Sequence, residues 1–256
     1  MLIDSPRITP QDRQTWERLE HYDDVLSRDR RLDRLADQAR RVIAEFLAAG
    51  PAYVSTSWGK DSTVVCHLAA QVDPGVTIRW ARAADVETPE CELVRDAFLA
   101  LHPGVRYEET VFEFRVPLRG EPGFDDPDAP TQDALAETLD GRRITGVRAE
   151  ESRIRAISIG HRGLSTTNTC RPIGTWTAVQ VFAFLHREGL PVHPVYAMSG
   201  GGYYDRRWLR VHPLLTAMPN QSAAHGRDPA TWEDLYYADV IAKARAARAH
   251  LWAPAS

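Results

Sequence analysis

Residues 53–65 read Tyr-Val-Ser-Thr-Ser-Trp-Gly-Lys-Asp-Ser-Thr-Val-Val, and this stretch decides the fold. Its apolar start, small polar centre and apolar end predict a strand, a loop and then a helix over residues 62–70. Gly59 lets the loop backbone come close to a ligand, because glycine has no Cβ atom to collide with it. The helix start offers unpaired N–H groups and a partial positive charge. The pattern therefore indicates a site for an anion such as a phosphate chain.

Lysine occurs only twice in the sequence, at Lys60 and Lys243, whereas arginine is used throughout. One of the two lies in this loop, which favours a functional role over that of a solvated loop residue. The loop is not a Walker A motif, because the glycine that opens that motif is missing.

The segment Ser57-Trp58-Gly59-Lys60-Asp61-Ser62 resembles the S-G-G-x-D-S loop of the PP-loop ATP pyrophosphatases, also called adenine nucleotide α-hydrolases. Within that superfamily it is most similar to the phosphoadenosine phosphosulfate (PAPS) reductase-like branch. Trp58 departs from the family pattern, because it replaces the second small residue and leaves the loop backbone less free.

A second strand is predicted over residues 75–83, followed by Asp85-Val86-Glu87-Thr88-Pro89-Glu90 and a helix over 90–101. This junction resembles the family's second-strand loop, which implies that Asp85 or Glu87 faces the nucleotide or a Mg²⁺ ion. The carboxyl ends of strands are where open α/β sheets bind ligands. The alternative is that these carboxylates only cap the helix and interact with its dipole. Both interpretations stay open at this point.

The segment Gly146-Val147-Arg148-Ala149-Glu150-Glu151-Ser152-Arg153 begins within a short predicted strand, 144–147, and continues into a polar turn and a helix. It resembles the G-x-R-x-x-E-S-R segment of the PAPS reductase-like branch. The resemblance implies that Arg148 reaches a phosphate and that Glu151, Ser152 and Arg153 shape the site. Arginine suits this role because its planar fork binds phosphate oxygens through two parallel hydrogen bonds. For Arg155 we expect only an i,i+4 ion pair with Glu151.

Residues 166–185 and 190–196 continue the resemblance, and either Thr175 or Thr177 is expected to cap the helix that follows. Gln180 stands where the family usually has Asp. The Cys170 thiol could accept a persulfide or attack sulfur, although a buried and inert cysteine is the alternative.

Two further stretches have competing interpretations. Residues 203–210 combine arginine with tyrosine and tryptophan, which suits nucleic-acid binding, whereas a glycine-rich turn followed by an edge strand explains the same residues. Residues 117–133 are rich in Pro, Gly and Asp, including Asp125, Asp126 and Asp128. We expect a loop there that acts as a lid, not a metal site.

These elements predict an α/β fold, a doubly wound, Rossmann-like, mostly parallel five-stranded sheet. The predicted organisation is an N-terminal helical extension (1–49, two amphipathic helices), a nucleotide-binding α/β domain (50–215) and a small C-terminal helical segment (216–256). The net charge of −4 gives no overall attraction to nucleic acid. No apolar run is long enough to span a bilayer and no signal peptide opens the chain, so we expect a cytoplasmic protein with no membrane partner.

The resemblance implies cleavage of ATP between its α- and β-phosphates, with Mg²⁺ bridging the phosphates, so that an adenylated substrate can accept sulfur. Implied partners are ATP, a sulfur donor such as a cysteine desulfurase, and DNA or tRNA; a homodimer is compatible with the family. Alternatives are a PAPS reductase, which would need a nucleophilic cysteine, and a nucleotide-binding regulator without turnover. The three widely spaced cysteines predict no disulfide framework and no iron–sulfur cluster held by this chain alone. Candidate catalytic residues are Lys60, Asp61, Arg148 and Cys170, candidate nucleotide-binding residues are Ser55, Ser57, Trp58, Gly59, Ser62, Thr63, Asp85 and Arg153, and no metal ligands are assigned.

Overall fold

A computed structural model describes residues 1–124, 140–216 and 229–252, and a five-stranded sheet lies at its centre. The strands are β1 (Tyr53–Thr56), β2 (Thr77–Ala83), β3 (Arg106–Phe112), β4 (Arg143–Ile144) and β5 (Thr169–Cys170). The helices are α1 (Pro10–Ser27), α2 (Arg31–Ala48), α3 (Lys60–Val72), α4 (Glu90–Leu101), α5 (Arg153–Arg162), α6 (Ala178–Arg187) and α7 (Pro229–Arg248).

Neighbouring strands of the sheet run parallel. The pairs β1–β2, β1–β4 and β4–β5 have parallel register. Between β2 and β3, Arg106 N–H donates to the Val76 carbonyl at one end (3.0 Å), and Ala84 N–H donates to the Phe112 carbonyl at the other (2.8 Å). Bonds that join start to start and end to end require parallel strands. The predicted α/β fold with a five-stranded parallel sheet is therefore confirmed.

The strand order β3-β2-β1-β4-β5 reverses direction in the middle of the sheet, because the chain goes outward from β1 to β3 and then returns to the other side of β1. Open α/β sheets bind ligands outside the carboxyl ends of their strands at such a reversal. The loop that starts at Ser57 follows β1, and the segment that starts at Thr145 follows β4. The sheet thus brings the two most informative sequence stretches to one edge.

Two amphipathic helices precede the sheet, as the spacing of apolar residues predicts. They are α1 and α2, and the charged break between them falls at residues 28–30. Thr9 caps α1 by accepting the Asp12 N–H, and α2 turns Leu32, Ile43 and Phe46 into the core. Helix α3 is enclosed along most of its length, since ten of its thirteen residues are buried. Because α3 is part of the core, it holds the end of the loop that precedes it in place.

The chain forms two compact units. The first comprises residues 1–80, 90–109 and 141–210, and the second comprises 81–89, 110–140 and 211–256. Within the second unit, the buried Glu233 carboxylate of α7 accepts a hydrogen bond from Arg119 (2.6 Å). Arg248, near the end of α7, donates to Glu121 at 2.6 Å. The predicted division at residues 49 and 215 remains a prediction.

None of the helices in the described ranges combines the length and the apolar character that crossing a membrane requires. The predicted lid over residues 117–133, with Asp125, Asp126 and Asp128, lies mostly outside the described residues.

Candidate functional site

The loop after β1 is folded by its own hydroxyl groups. Ser62 Oγ donates to the Gly59 carbonyl (3.0 Å) and accepts from the Ser57 N–H (3.3 Å). Thr63 N–H makes the first helical bond, also to the Gly59 carbonyl, at 2.9 Å. Gly59 itself is the extended residue that precedes α3. These bonds close the loop over the helix start and leave the Ser57 side of the loop exposed.

The start of α3 keeps several hydrogen-bond donors unused. The backbone N–H groups of Gly59, Asp61 and Ser62 have no partner among the described residues. The buried Thr63 hydroxyl is likewise without a partner there. The Lys60 N–H is the exception, because it donates to the Tyr196 hydroxyl at 2.9 Å. Three amides and one hydroxyl at the positive end of a thirteen-residue helix make a site for an anion.

Trp58 occupies the loop in a conformation that favours glycine. Its φ is +57°, in the left-handed region, and its side chain is fully buried. The indole packs against Trp80, Phe98 and Tyr107, with ring centroids 6.4, 5.6 and 6.0 Å away. Its backbone N–H is engaged with the Thr56 hydroxyl at 3.0 Å. The side chain of Trp58 therefore anchors the loop to the core, and the role of this residue in nucleotide binding stays a prediction.

Asp61 joins the two predicted catalytic cations. Lys60 Nζ lies 2.9 Å from Asp61 Oδ2, and Arg148 Nε donates to Asp61 Oδ1 at 2.6 Å. The ammonium of Lys60 also lies 5.0 Å from the centre of the Tyr196 ring, a cation–π contact. Lys60 is only 3% exposed, so it lies within the protein and not on a solvated loop. The structure thus brings Lys60, Asp61 and Arg148 together.

Arg148 is an almost fully enclosed cation. One terminal nitrogen donates both to Glu150 Oε2 (2.7 Å) and to the Trp176 carbonyl (3.2 Å). Burial acts to lower the pKa of Arg148, but the carboxylates of Asp61 and Glu150 outweigh burial and raise it. The arginine therefore stays charged and holds the segment after β4 against the start of α3.

Gly146 explains how closely the two stretches meet. A Cβ atom at this position would lie 2.7 Å from the Asp61 carbonyl carbon and 2.8 Å from the Ser62 nitrogen. Both neighbours are backbone atoms that cannot move independently of α3. Any larger residue would therefore push the loop after β4 away from the start of the helix.

The remaining residues of the segment after β4 order its own structure. Glu151 accepts the Arg148 N–H at 3.0 Å and pairs with Arg155, as the i,i+4 spacing predicts. Ser152 caps α5 by accepting the Arg155 N–H at 3.2 Å. Arg153 is exposed in the first turn of α5, and its role as a nucleotide ligand stays a prediction.

Helix α6 begins with a capping box that the sequence predicts in part. Of the two candidate caps, Thr177 accepts the Gln180 N–H at 3.2 Å, and Gln180 Oε1 accepts the Thr177 N–H at 2.8 Å. Gln180, which stands at the position of a family aspartate, therefore serves the helix end. Glu150 also reaches this helix, because its Oε2 accepts the Ala178 N–H at 2.6 Å.

The structure counts against a catalytic role for Cys170. Its side chain is fully buried in β5, and burial raises the pKa of the thiol to about 12. A thiol that remains protonated and enclosed is a poor nucleophile. Cys66, on α3, is also buried, and burial raises the pKa of its thiol to about 12. Cys91 is buried as well, with its Sγ 3.6 Å from His193 Nε2. All three cysteines of the chain are thus enclosed.

Three further residues of the sequence interpretation are Ser55, Asp85 and Arg206. Ser55 is half-buried within β1, and Asp85 belongs to the second compact unit, in the turn after β2. Their roles remain predictions. Arg206 requires a correction, because its guanidinium is buried and makes two bonds to Asp23 (2.8 and 2.6 Å) instead of facing a nucleic acid.

Two residues of the site escape the sequence interpretation. In the sequence, Tyr196 is only the last residue of the stretch 190–196 that continues the resemblance. In the structure, its hydroxyl accepts the Lys60 N–H and its ring lies against the Lys60 ammonium. Burial and the nearby Asp61 charge raise the pKa of this phenol, so it stays neutral. The role of Gly146 could have been predicted, because it is the glycine that opens the segment after β4. Nothing in the sequence around Tyr196 indicates its contact with Lys60.

Comparison with known proteins finds curated relatives and solved structures that are similar to this chain, and no family model matches. PAPS reductase of Xanthomonas euvesicatoria pv. vesicatoria (strain 85-10) is 28% identical over 209 residues, which cover 73% of this chain and 85% of the relative. PAPS reductase of Xanthomonas axonopodis pv. citri (strain 306) is 27% identical over 208 residues, with the same coverage.

Among solved structures, PAPS reductase from Candida auris in a phosphate complex is 11% identical, with a TM-score of 0.48, and covers 73% of this chain and 96% of its own. The U34-tRNA thiolase NcsA from Methanococcus maripaludis, with its [4Fe-4S] cluster, is 11% identical, with a TM-score of 0.42; the match covers 86% of this chain and 80% of that protein.

Proposed function

Because the chain belongs to the PP-loop ATP pyrophosphatase superfamily, on its PAPS reductase-like branch, we propose that it cleaves the α–β bond of ATP to adenylate a substrate for sulfur transfer. The observation that carries this proposal is the start of α3. Three amides and a buried hydroxyl without partners in the described part of the chain lie there with Lys60, next to the enclosed Arg148. That set of donors suits a chain of phosphates, whereas a helix start with only a structural role has no need of it.

The reaction assigns a distinct task to each part of the site. An oxygen of the acceptor attacks the α-phosphorus of ATP, the bond from that phosphorus to the bridging oxygen breaks, and pyrophosphate leaves with the electron pair. Negative charge grows on the leaving group as this bond breaks. Lys60 and the amides of Gly59, Asp61 and Ser62 would stabilise that charge, since fixed donors are effective where charge develops. Arg148 and Asp61 would hold Lys60 in place.

Magnesium fits this proposal as a partner of the nucleotide. Among the described residues no group of three His, Cys, Asp or Glu side chains is placed to hold a metal ion, and both Asp61 oxygens already accept from Lys60 or Arg148. Mg²⁺ would therefore arrive with ATP, bound by phosphate oxygens and water. When bound, it neutralises charge on the phosphates.

The sulfur that follows adenylation would come from outside the chain. All three cysteines are enclosed, so a separate donor, such as a cysteine desulfurase, would supply the nucleophile. The nucleophile would then attack the adenylated carbon and release AMP, and DNA or tRNA is the acceptor considered in the next subsection.

The names of the two curated relatives favour a second candidate, reduction of PAPS. That reaction starts with a thiolate attacking the sulfur of PAPS, and the enclosed cysteines of this chain offer none. Sulfite release from PAPS in the presence of reduced thioredoxin would establish the reductase and refute the pyrophosphatase proposal.

Lys60 and Lys243 provide a matched test, because they are the only lysines and Lys243 is exposed on α7. We expect the wild type and Lys243→Ala to bind ATP and release pyrophosphate at equal rates. Lys60→Ala should lose at least about two orders of magnitude in that rate, the usual effect of losing one such donor. Equal release by Lys60→Ala and the wild type would remove the loop from the mechanism. Tight binding of ATP without release by the wild type would favour a nucleotide-binding regulator.

A further inference from the structure

One part of the sequence has a charge unlike that of the whole. The net charge of the chain is −4, yet no Asp or Glu occurs between Ser152 and Arg187. The first twenty residues of this stretch contain four arginines, Arg153, Arg155, Arg162 and Arg171. A local excess of positive charge on a protein of negative net charge creates a field that attracts anions.

Three of these arginines, Arg153, Arg155 and Arg162, lie on α5, a largely exposed helix of the first unit. Helix α5 buries only Ile159, whereas Ile154 is 80% and Ile157 is 50% exposed. At ten residues the helix is about 15 Å long. The side chains of Arg153 and Arg162 have no partner among the described residues, so their charge is not neutralised by the protein.

The chain that follows α5 folds back on it and adds polar groups. The Thr166 N–H donates to the Thr169 carbonyl at 2.9 Å, which closes a tight turn, and Arg171 N–H donates to the Leu164 carbonyl at 2.7 Å. Thr167 and Asn168 are exposed at the tip of this turn. Helix and turn together, residues 153–171, form what we call the basic projection.

The basic projection starts at the candidate site. Arg155, in its first turn, pairs with Glu151, which accepts the backbone N–H of Arg148. Arg148 in turn holds Asp61 at the start of α3. A ligand lying along the projection would therefore have one end near the segment that contacts the start of α3.

We infer that the basic projection binds the sugar–phosphate backbone of a nucleic acid. The inference rests on the proposed function and deepens it, because it names nucleic acid as the class of acceptor. An exposed helix fits the major groove of DNA, about 12 Å wide, and arginine, hydroxyl and amide groups are the usual ligands of phosphate oxygens. The exposed isoleucines offer apolar contact to bases or sugars. A protein partner would favour aromatic anchors, and residues 153–171 contain no Trp, Tyr or Phe.

The test uses the whole chain and three labelled probes of equal length: single-stranded RNA, single-stranded DNA and double-stranded DNA. Binding is measured by fluorescence anisotropy between about 50 and about 200 mM salt. The variant is the double charge reversal Arg162→Glu with Arg171→Glu. The control is Arg34→Glu, an exposed arginine of α2 with no partner in the described residues but with acidic neighbours in sequence.

We expect the wild type and the Arg34→Glu control to bind at least one probe with equal affinity. The double variant should bind at least about tenfold more weakly, and its salt slope should be smaller by about 1.4–1.8, the value for two lost phosphate contacts. The probe that binds most tightly distinguishes RNA from DNA. Absence of binding to every probe, an equal loss in the control, or equal competition by polyglutamate would overturn the inference.

The two proposals fail in different ways. Lys60→Ala should abolish pyrophosphate release and leave probe binding unchanged, because Lys60 is enclosed at the loop and not on the projection. A wild type that binds the probes but releases no pyrophosphate would refute the proposed reaction and support the surface. A wild type that releases pyrophosphate but binds no probe would support the proposed reaction and refute nucleic-acid binding by the basic projection.

Discussion

Replacing Trp58 tests whether packing holds the loop in a strained conformation. A left-handed backbone costs a non-glycine residue about 1–2 kcal/mol, whereas glycine adopts it freely. Full burial of the indole among three aromatic rings offsets this cost, since removing a buried tryptophan side chain costs about 3–5 kcal/mol. The wild type should therefore be more stable than any small-residue variant.

The informative comparison is between Trp58→Gly and Trp58→Ala. Both lose the ring contacts, but only glycine also loses the strain. Against this gain, glycine lowers the free energy of unfolding by about 0.4–1 kcal/mol, because its unfolded chain has more entropy. We therefore expect Trp58→Gly to be more stable than Trp58→Ala by about 0.5–1 kcal/mol, the reverse of the usual order of these residues.

Urea unfolding followed by circular dichroism measures this difference. With a slope of about 2–3 kcal/mol per molar urea, it corresponds to a midpoint shift of about 0.2–0.5 M. Trp176 supplies the control, because it is also buried but its φ is not positive. There the alanine variant should be the more stable one. An alanine variant at position 58 that equals or exceeds the glycine variant would refute the strain argument.

Three further predictions address the site and its surroundings. Gly146→Ala should lower stability by about 1–3 kcal/mol and weaken ATP binding, because its Cβ would lie 2.7 Å from the Asp61 carbonyl carbon; Gly160→Ala, which has open space around it, should leave both unchanged or improved. Asp61→Asn leaves two cations without their shared anion, so its melting temperature should fall sharply and be partly restored by pyrophosphate, whereas an unchanged melting temperature would contradict the ion-pair description. Burial lowers the pKa of His193 to about 3, so below about pH 6.5 the unfolded chain takes up a proton that the folded chain does not. About 2 kcal/mol of unfolding free energy should therefore be lost between about pH 7 and about pH 5. The variant His193→Asn should show a correspondingly smaller loss in acid-unfolding measurements.

The sequence predicts most of the architecture because the deciding signals are local. Apolar runs of strand length, a helix start rich in small polar residues and the boundaries of helix 90–101 all follow from neighbouring residues, and the structure confirms them. The meeting of the β1 loop with the segment after β4 also follows, because the carboxyl ends of parallel strands share one edge.

Long-range contacts are what the sequence could not supply. Nothing near Arg206 indicates that Asp23, on a helix far away in the chain, neutralises it. The enclosure of Cys170 depends on its position within the sheet, which a single sequence does not reveal. Trp58 likewise looks like a ligand-facing loop residue until the aromatic rings that surround it are seen. In each case the neighbour that decides the role is distant in sequence.

The shared position of Asp61 has a consequence for selectivity. Lys60, the cation that would meet a nucleotide, is already paired with an internal carboxylate. An incoming anion must therefore compete with that carboxylate for the ammonium group. Ions with a single negative charge compete poorly, whereas a triphosphate or pyrophosphate brings several charges at once. The resting ion pair would thus act as a threshold that keeps chloride, acetate and similar small anions out of the loop.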